Sequence, residues 1–229
     1  MEDKTFDWHQ AAGKQWDGRA SFWNQNSKAM WDEGSRKEII PFFDRYLDAG
    51  ASVLDVGCGD GYGSYKLMRA GYNVIGMDLS VEMIAKAEQL VDGNQLSFVQ
   101  GDIVHLSFAD ERFDGIMGIN VLEWAENPLH ALQELDRVLK TGGKVCIGLL
   151  GPTAGPRNNS YPRLYGEKVI CNTMMPWELK RLVEEEIGWK TTGGKPVYKK
   201  GVSEKEATSL PEELQQALSF MWLFLFQKE

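Results

Sequence analysis

VLDVGCGDGYG, residues 53–63, is the stretch from which the rest of the chain can be read. A short apolar, β-branched run carries an acid, Asp55, and four glycines then fall at alternate positions, 57, 59, 61 and 63. Ordering glycine costs more backbone entropy than ordering any other residue, so a cluster of them implies a tight turn or a close approach to the main chain. SVLDVG (52–57) reads as a strand and Gly61 to Ala70 as a helix. Strand, glycine turn and helix in that order form the setting in which a ligand meets bare backbone.

The same alternation continues downstream. NVIGMD (73–78), LSFVQGD (96–102), FDGIMGIN (113–120) and KVCIGLL (144–150) are predicted strands. SVEMIAKAEQLV (80–91) is a predicted helix with Ser80 as N-cap and Glu82 in its first turn. PLHALQELDRVLKTGG carries an apolar stripe at 129, 132, 135, 138 and 139, with Pro128 at its start and Gly142–Gly143 after its end. Upstream, SRKEIIPFFDRYL (35–47) is expected to be an amphipathic helix with Pro41 as a break or kink, closed by Gly50. Strands alternating with helices at this spacing predict an α/β fold with a doubly wound parallel sheet. After Leu150 the rhythm breaks into a loop-rich stretch, 151–175. A helix (176–187), a strand (189–200) and a short helix leading into a buried strand near 219–227 are then expected.

The 229 residues, 43% of them hydrophobic, suffice for one decorated α/β domain with a real core. A net charge of −8 disfavours a chain that lives on phosphate backbones, so no nucleic-acid partner is expected. MEDKTFDWHQ shows neither a basic n-region nor an apolar h-region, and ALSFMWLFLF is about half the length of a membrane helix. Cys58, Cys146 and Cys171 are odd in number and lack CxxC spacing, which reads as reduced thiols with no zinc site. Together these predict a cytoplasmic protein with no membrane partner. Residues 1–35 hold Trp8, Trp16, Trp23 and Trp31, half of the eight tryptophans. Two readings stand: a helical cap whose aromatics pack on the core, or a lid lining a pocket for something flat or cationic.

The ligand of the glycine turn can be narrowed. A dinucleotide fingerprint needs a third glycine three residues after the second; counting from either glycine pair, that position is Tyr62 or Ser64. Asp55, close to the turn, would repel a pyrophosphate and suits an ammonium group. Asp78 ends the second strand 21 residues after Gly57, where a carboxylate can accept from both ribose hydroxyls. In Gly101-Asp102-Ile103, Asp102 can accept from an adenine amine while the Ile103 amide donates to the ring. Each acid alone is an ordinary solvated strand or turn residue. Together they point to adenosine carrying a charged amino-acid tail, and an NAD-dependent oxidoreductase is the competing reading.

VLDVGCGDGYG, GMDLS, GDIVHLSF and FDGIMGINVLEW, in that order, resemble the class I S-adenosylmethionine-dependent methyltransferases, most of all the small type 11-like branch. The resemblance spans roughly 36–150. It implies a Rossmann-like, doubly wound seven-stranded sheet whose last strand is antiparallel, with S-adenosyl-L-methionine as cofactor. It implies an N-terminal helical lid (1–35), a cofactor-binding core (36–150) and an acceptor-side loop with the C-terminal completion of the same domain (151–229). Asp55, Gly57 and Gly59 would face the methionine part and Asp78 the ribose. Leu79 and Ile103 would flank adenine, with Asp102 at its amine. The main-chain carbonyl of Asn120 would take the methionine ammonium, and Arg36 its carboxylate.

A sulfonium already activates its methyl group, so no metal is required. The protein must hold a nucleophile in line about 3–3.5 Å away and exclude water. No catalytic residue can be assigned. His9, His105 and His130 are the only histidines; His9, in the lid, is the best base among them. Many relatives carry a histidine after the fourth strand, where this chain has Glu123-Trp124. No N/D-P-P-Y/F stretch follows that strand, so the amino-methylating pattern of DNA and glutamine methyltransferases is missing. The expected acceptor is a small molecule bound beneath 1–35 and 151–175. A non-catalytic protein that binds the cofactor is the third reading.

Overall fold

The computed structural model describes residues 6–91 and 93–229. Residues 1–5 of the expected lid lie outside them. The elements, in chain order, are helices α1 (Trp8–Asp17), α2 (Ala20–Asp32) and α3 (Ile39–Phe43), strand β1 (Ser52–Val56), helix α4 (Tyr62–Arg69), strand β2 (Asn73–Asp78) and helix α5 (Val81–Ala87). Strands β3 (Leu96–Gln100) and β4 (Phe113–Ile119), helix α6 (Pro128–Val138), strand β5 (Leu139–Leu150), helix α7 (Pro176–Leu182) and strand β6 (Lys190–Tyr198) follow. Short helices α8 (Glu204–Ala207) and α9 (Glu212–Leu218) lead into strand β7 (Ser219–Gln227).

The seven strands form one sheet in the order β3-β2-β1-β4-β5-β7-β6. β1 pairs in parallel with β2 and β4, and β7 runs antiparallel between β5 and β6, as the resemblance implied. The chain winds outward from β1 through β2 to β3, then returns to start again at β4. The seam between β1 and β4 is therefore the switch point, where the loops leaving the strand ends diverge and a cleft opens.

Strand pleating sorts the apolar residues onto two faces. Leu54, Val56 and Ile116 join one core with Leu132 and Leu135 of α6, Leu179 of α7 and Phe224 of β7. Val53, Val74 and Met117 join the other, against Ile39 and Phe43 of α3 and Leu67 of α4. Each fully buried side chain of this kind contributes about 1.5–3 kcal/mol. By the same alternation, Asp55 points to the α4 side, between two apolar neighbours of opposite facing.

Several boundaries move from the sequence expectation, each for a local reason. The 35–47 helix contracts to α3 and a 3-10 turn (Asp44–Tyr46), with Pro41 inside the first turn, where its missing N–H costs nothing. Gly142–Gly143 does not cap α6. The helix stops at Val138, and the pair lies within β5, Gly142 at φ 80°, where the β4–β5 register shifts between Phe113 and Gly115. The loop after β5 winds into a 3-10 run, Gly155–Tyr165. α7 gives way to a wider π turn over Val183–Ile187. Ser80 caps α5 as expected, accepting from the Met83 amide at 3.1 Å.

α1 and α2 pack on α5 and α4, over the C-terminal ends of β1 and β2. They are tied there by side chains: the Asp17 carboxylate accepts from Ser80 Oγ, and Asp32 accepts from Tyr62 Oη and Lys66 Nζ. Trp31 is 4% exposed and lies against Gly63, where an added Cβ would run into its six-membered ring. Gly63→Ala should therefore cost about 1–3 kcal/mol by overpacking. Thermal unfolding should fall by about 2–4 °C per kcal/mol. A melting temperature within 1 °C of the parent would contradict this contact.

Candidate active site

A cavity of about 550 Å³ lies at the switch point, floored by the ends of β1, β2 and β4 and roofed by α1 and α2. Eight of the nine residues expected at the cofactor line it; Asp55 does not.

The glycine turn answers the question its sequence poses. Gly57 and Gly59 adopt left-handed φ of 67° and 58°. A Cβ on Gly57 would lie 2.6 Å from Val121 Cγ2, and one on Gly61 2.6 Å from Phe98 Cζ. At Gly59 nothing among the described residues stands within 4 Å of an added Cβ. So Gly57, Gly61 and Gly63 let the turn press against its neighbours, while Gly59 alone presents bare backbone to open space.

Asp78 is held by that backbone. Its two oxygens accept from the amides of Gly59 and Ser80, both at 2.9 Å, with lone pairs left toward the cavity. Burial pushes its pKa up, and the amide hydrogen bonds pull it back. Leu79 and Ile103 line the cavity beside it, with Met77 and Met83, which the sequence pattern does not single out. Asp102 is already engaged: one oxygen accepts from the Val104 amide at 3.1 Å, and the other lies 2.7 Å from His9 Nδ1. His9 is thus a tie between α1 and the expected adenine end, far from the role of a base at the methyl group. His105 faces Asp102 through backbone pairing, and His130 is exposed on α6.

At the other end, Arg36 stands with its guanidinium 4.7 Å from the Trp23 ring centre and 5.5 Å from that of Trp31. No hydrogen-bond acceptor or ion-pair partner meets it among the described residues. Burial lowers its pKa to about 10, against the pull of Asp55, Asp60 and Glu123, so it stays cationic at neutral pH. Asp60, part of the glycine motif itself, also lines the cavity, with Asn24 Nδ2 3.4 Å from its carboxylate.

Asp55 is 3% exposed and accepts from Ser64 Oγ at 2.6 Å. It sits behind the cavity wall, contrary to the expectation that it faces the methionine part. Asn120 is in the cavity at φ 55°, but its carbonyl already accepts from Trp124 Nε1 at 2.7 Å. One lone pair remains for an ammonium. Glu123 does not replace a histidine base: it is 0% exposed, and Oε1 accepts from the Leu150 amide at 2.6 Å, fastening the end of β4 to that of β5.

The tryptophans divide between the two readings. Trp31 is core, whereas Trp8, Trp16 and Trp23 line the cavity. Trp8 Nε1 donates to the Trp124 carbonyl at 2.8 Å, and Trp16 meets Trp124 edge-on at 5.4 Å. Arg19 and Asn159, bonded to each other at 3.1 Å, close this aromatic wall; no sequence pattern marks either of them. A flat, apolar, partly cationic ligand matches this surface.

The chain is similar to known proteins in its core sequence and its fold. Residues 54–147 match the family model described as "Methyltransferase domain". Malonyl-[acyl-carrier protein] O-methyltransferase of Pectobacterium atrosepticum is 35% identical over 149 residues, 61% of this chain and 58% of that one. The chloroplastic 2-methyl-6-phytyl-1,4-hydroquinone methyltransferase of Arabidopsis thaliana is 32% identical over 179 residues, 76% of this chain and 49% of that one. The chain spans between 22% and 58% of the length of the first curated relatives it matches. In fold, the putative methyltransferase complexed with the Haloferax volcanii Trm112 activator superposes with a TM-score of 0.73 at 22% identity, over 95% of this chain and 96% of that chain. The [4+2]-cyclase SpnF superposes at 0.71 and 18% identity, over 94% of each chain, so the fold alone does not set a reaction.

Asp55 gives a test of the electrostatics. Its pKa is raised from 3.8 to about 7 by burial. The folded chain therefore keeps a proton there that the unfolded chain has released, and the associated stability is complete below pH 4 and lost as pH rises through 7. Asp55→Asn should remove this slope. Its stability relative to the parent should gain on the order of 2–4 kcal/mol between pH 4 and pH 8, at about 1.4 kcal/mol per pH unit. Parallel stability curves for the two proteins would contradict it.

By the sequence of its core, residues 54–147 match a methyltransferase domain, and the order of the strands with the cavity at their switch point gives the whole chain the fold of the solved S-adenosylmethionine-dependent methyltransferases.

Proposed function

We propose that the protein transfers a methyl group from S-adenosyl-L-methionine to a small-molecule acceptor by in-line displacement, in the cytoplasm. The observation that carries this reading is Arg36, a cation without a protein partner among the described residues, facing the same cavity as the backbone-pinned carboxylate of Asp78. An amino-acid carboxylate at one end and ribose hydroxyls at the other satisfy both. The cofactor, when bound, supplies a methyl group activated by positive sulfur.

The roles follow from the surroundings. Arg36 would hold the methionine carboxylate, and the free lone pair of the Asn120 carbonyl its ammonium. Asp60 and the bare backbone of Gly59 border that end. Asp55 acts through Ser64 and through its field on Arg36, not by contact. Asp78 would accept from the ribose, Leu79 and Ile103 would sandwich adenine, and Asp102 would accept from its amine while holding His9.

Residues 1–35 serve as the lid, 36–150 as the cofactor core, and 151–229 as the acceptor-side wall and the completion of the sheet. Excluding water is the lid's part in the chemistry, since a nucleophile must meet the methyl group undiluted. No helix among the described residues is long and apolar enough to cross a membrane. That supports an acceptor met in solution, as does the net charge of −8 against a nucleic acid. The relatives named for a malonyl-[acyl-carrier protein] and for a hydroquinone span two unlike acceptors, so relatedness alone does not choose one.

Asp78→Ala tests the assignment. Two ribose hydroxyls lose a charged acceptor worth about 1.5–3 kcal/mol per bond. Affinity for S-adenosylhomocysteine should fall at least tenfold, with the fold retained by circular dichroism. Unchanged affinity would remove Asp78 from the site.

A further inference from the structure

The acceptor side of the cavity is distinctive for what it offers a nucleophile. Trp124, whose indole reaches the Asn120 carbonyl, marks the methionine end. Trp16 lies against Trp124, and the Arg19 guanidinium stands 5.4 Å from the Trp16 ring centre. Arg19 spends one of its five N–H groups on Asn159 Oδ1, and no other protein acceptor meets it among the described residues. Leu150, Pro156 and Phe220 complete an apolar wall.

Among the described residues, no free proton acceptor accompanies Arg19. His9 and Asp102 are paired with each other at the adenine end. Asp78 is pinned by two amides, and Asp60 lies in the field of Arg36. Glu126, which also borders the cavity, is exposed to solvent. The Cys58 thiol is pushed far up by burial and nearby carboxylates and stays protonated. A phenol, alcohol or ammonium acceptor beside Arg19 would have to shed a proton where, among the described residues, no unengaged base other than the solvent-exposed Glu126 borders the cavity. A carboxylate has none to shed.

Resting on the methyltransferase reading above, we propose that the acceptor is a flat, largely apolar carboxylic acid and that its own carboxylate oxygen is methylated. Arg19 grips the acid by its planar fork, while Trp16 and Trp124, edge-on to each other, offer its body one ring face and one ring edge. One oxygen–carbon bond forms between the carboxylate and the methyl group as the carbon–sulfur bond breaks. The bonding pair returns to sulfur, the carboxylate charge and the sulfonium charge cancel, and a neutral methyl ester leaves. No proton moves.

The test is calorimetric titration of the chain saturated with S-adenosylhomocysteine, using cinnamate and 2-naphthoate against their primary amides. At least one acid should bind tenfold or more tighter than its amide. Arg19→Gln should erase that preference and Arg19→Lys keep part of it, each with parental affinity for S-adenosylhomocysteine as the check on folding. With labelled cofactor, the product should be the methyl ester, and kcat/KM should stay level from pH 6 to 8.5. Acids and amides binding alike, a preference that survives Arg19→Gln, or a rate that climbs tenfold per pH unit would each overturn the proposal. Absence of S-adenosylhomocysteine binding to the unmodified chain would instead overturn the cofactor reading beneath it.

Discussion

Three carboxylates, the buried Asp55 and Glu123 and the half-buried Asp78, gather toward the ends of β1, β4 and β2, and Arg36 stands among them without a hydrogen-bond partner among the described residues. Burying charge without pairing it is costly, so this arrangement constrains everything near it. Each carboxylate has a local remedy: Ser64 for Asp55, two amides for Asp78, the Leu150 amide for Glu123. Among the described residues, Arg36 has only the rings of Trp23 and Trp31. The glycine turn, the tryptophan-rich helices and the fastened ends of β4 and β5 all serve to hold this cation over open space.

Helices α1 and α2 are tied to the cavity they roof. Asp17 reaches the cap of α5, His9 reaches Asp102, Trp8 reaches the carbonyl of Trp124, and Arg19 reaches Asn159 across the roof. One of these ties, His9 to Asp102, ends on a group proposed to meet adenine. A ligand that bonds Asp102 would share that carboxylate with His9 of α1. Asp102 and the Asn120 carbonyl each keep a lone pair to share.

The sheet was legible because its signals are local. Alternation, the Ser80 cap and the Pro128 start are properties of a few neighbouring residues, and the structure repeats them. The resemblance supplied the antiparallel last strand, which composition could not. What local reading missed is tertiary. Asp55 looked like a ligand because it abuts the turn, but strand pleating sends it to the α4 side. Gly142–Gly143 looked like a helix stop, but the partner strand turned it into a register shift. Glu123 stood where relatives carry a histidine, and only the approach of Leu150 shows it to be a fastening. Arg19 and Asn159 are 140 residues apart and carry no pattern. The tryptophans admitted two roles because half a helix faces the core and half the cavity.

The central claim is that the cavity reads an adenosine bearing a charged amino-acid tail, with Arg36 as the reader of that tail. Calorimetric titration of the purified chain with S-adenosylhomocysteine, 5′-methylthioadenosine and NAD tests it most directly. The account predicts micromolar binding of the first, binding at least tenfold weaker for the second, which lacks the amino acid, and none for NAD. Equal affinity for the first two would contradict the role of Arg36, and binding of NAD in place of S-adenosylhomocysteine would contradict the site as a whole.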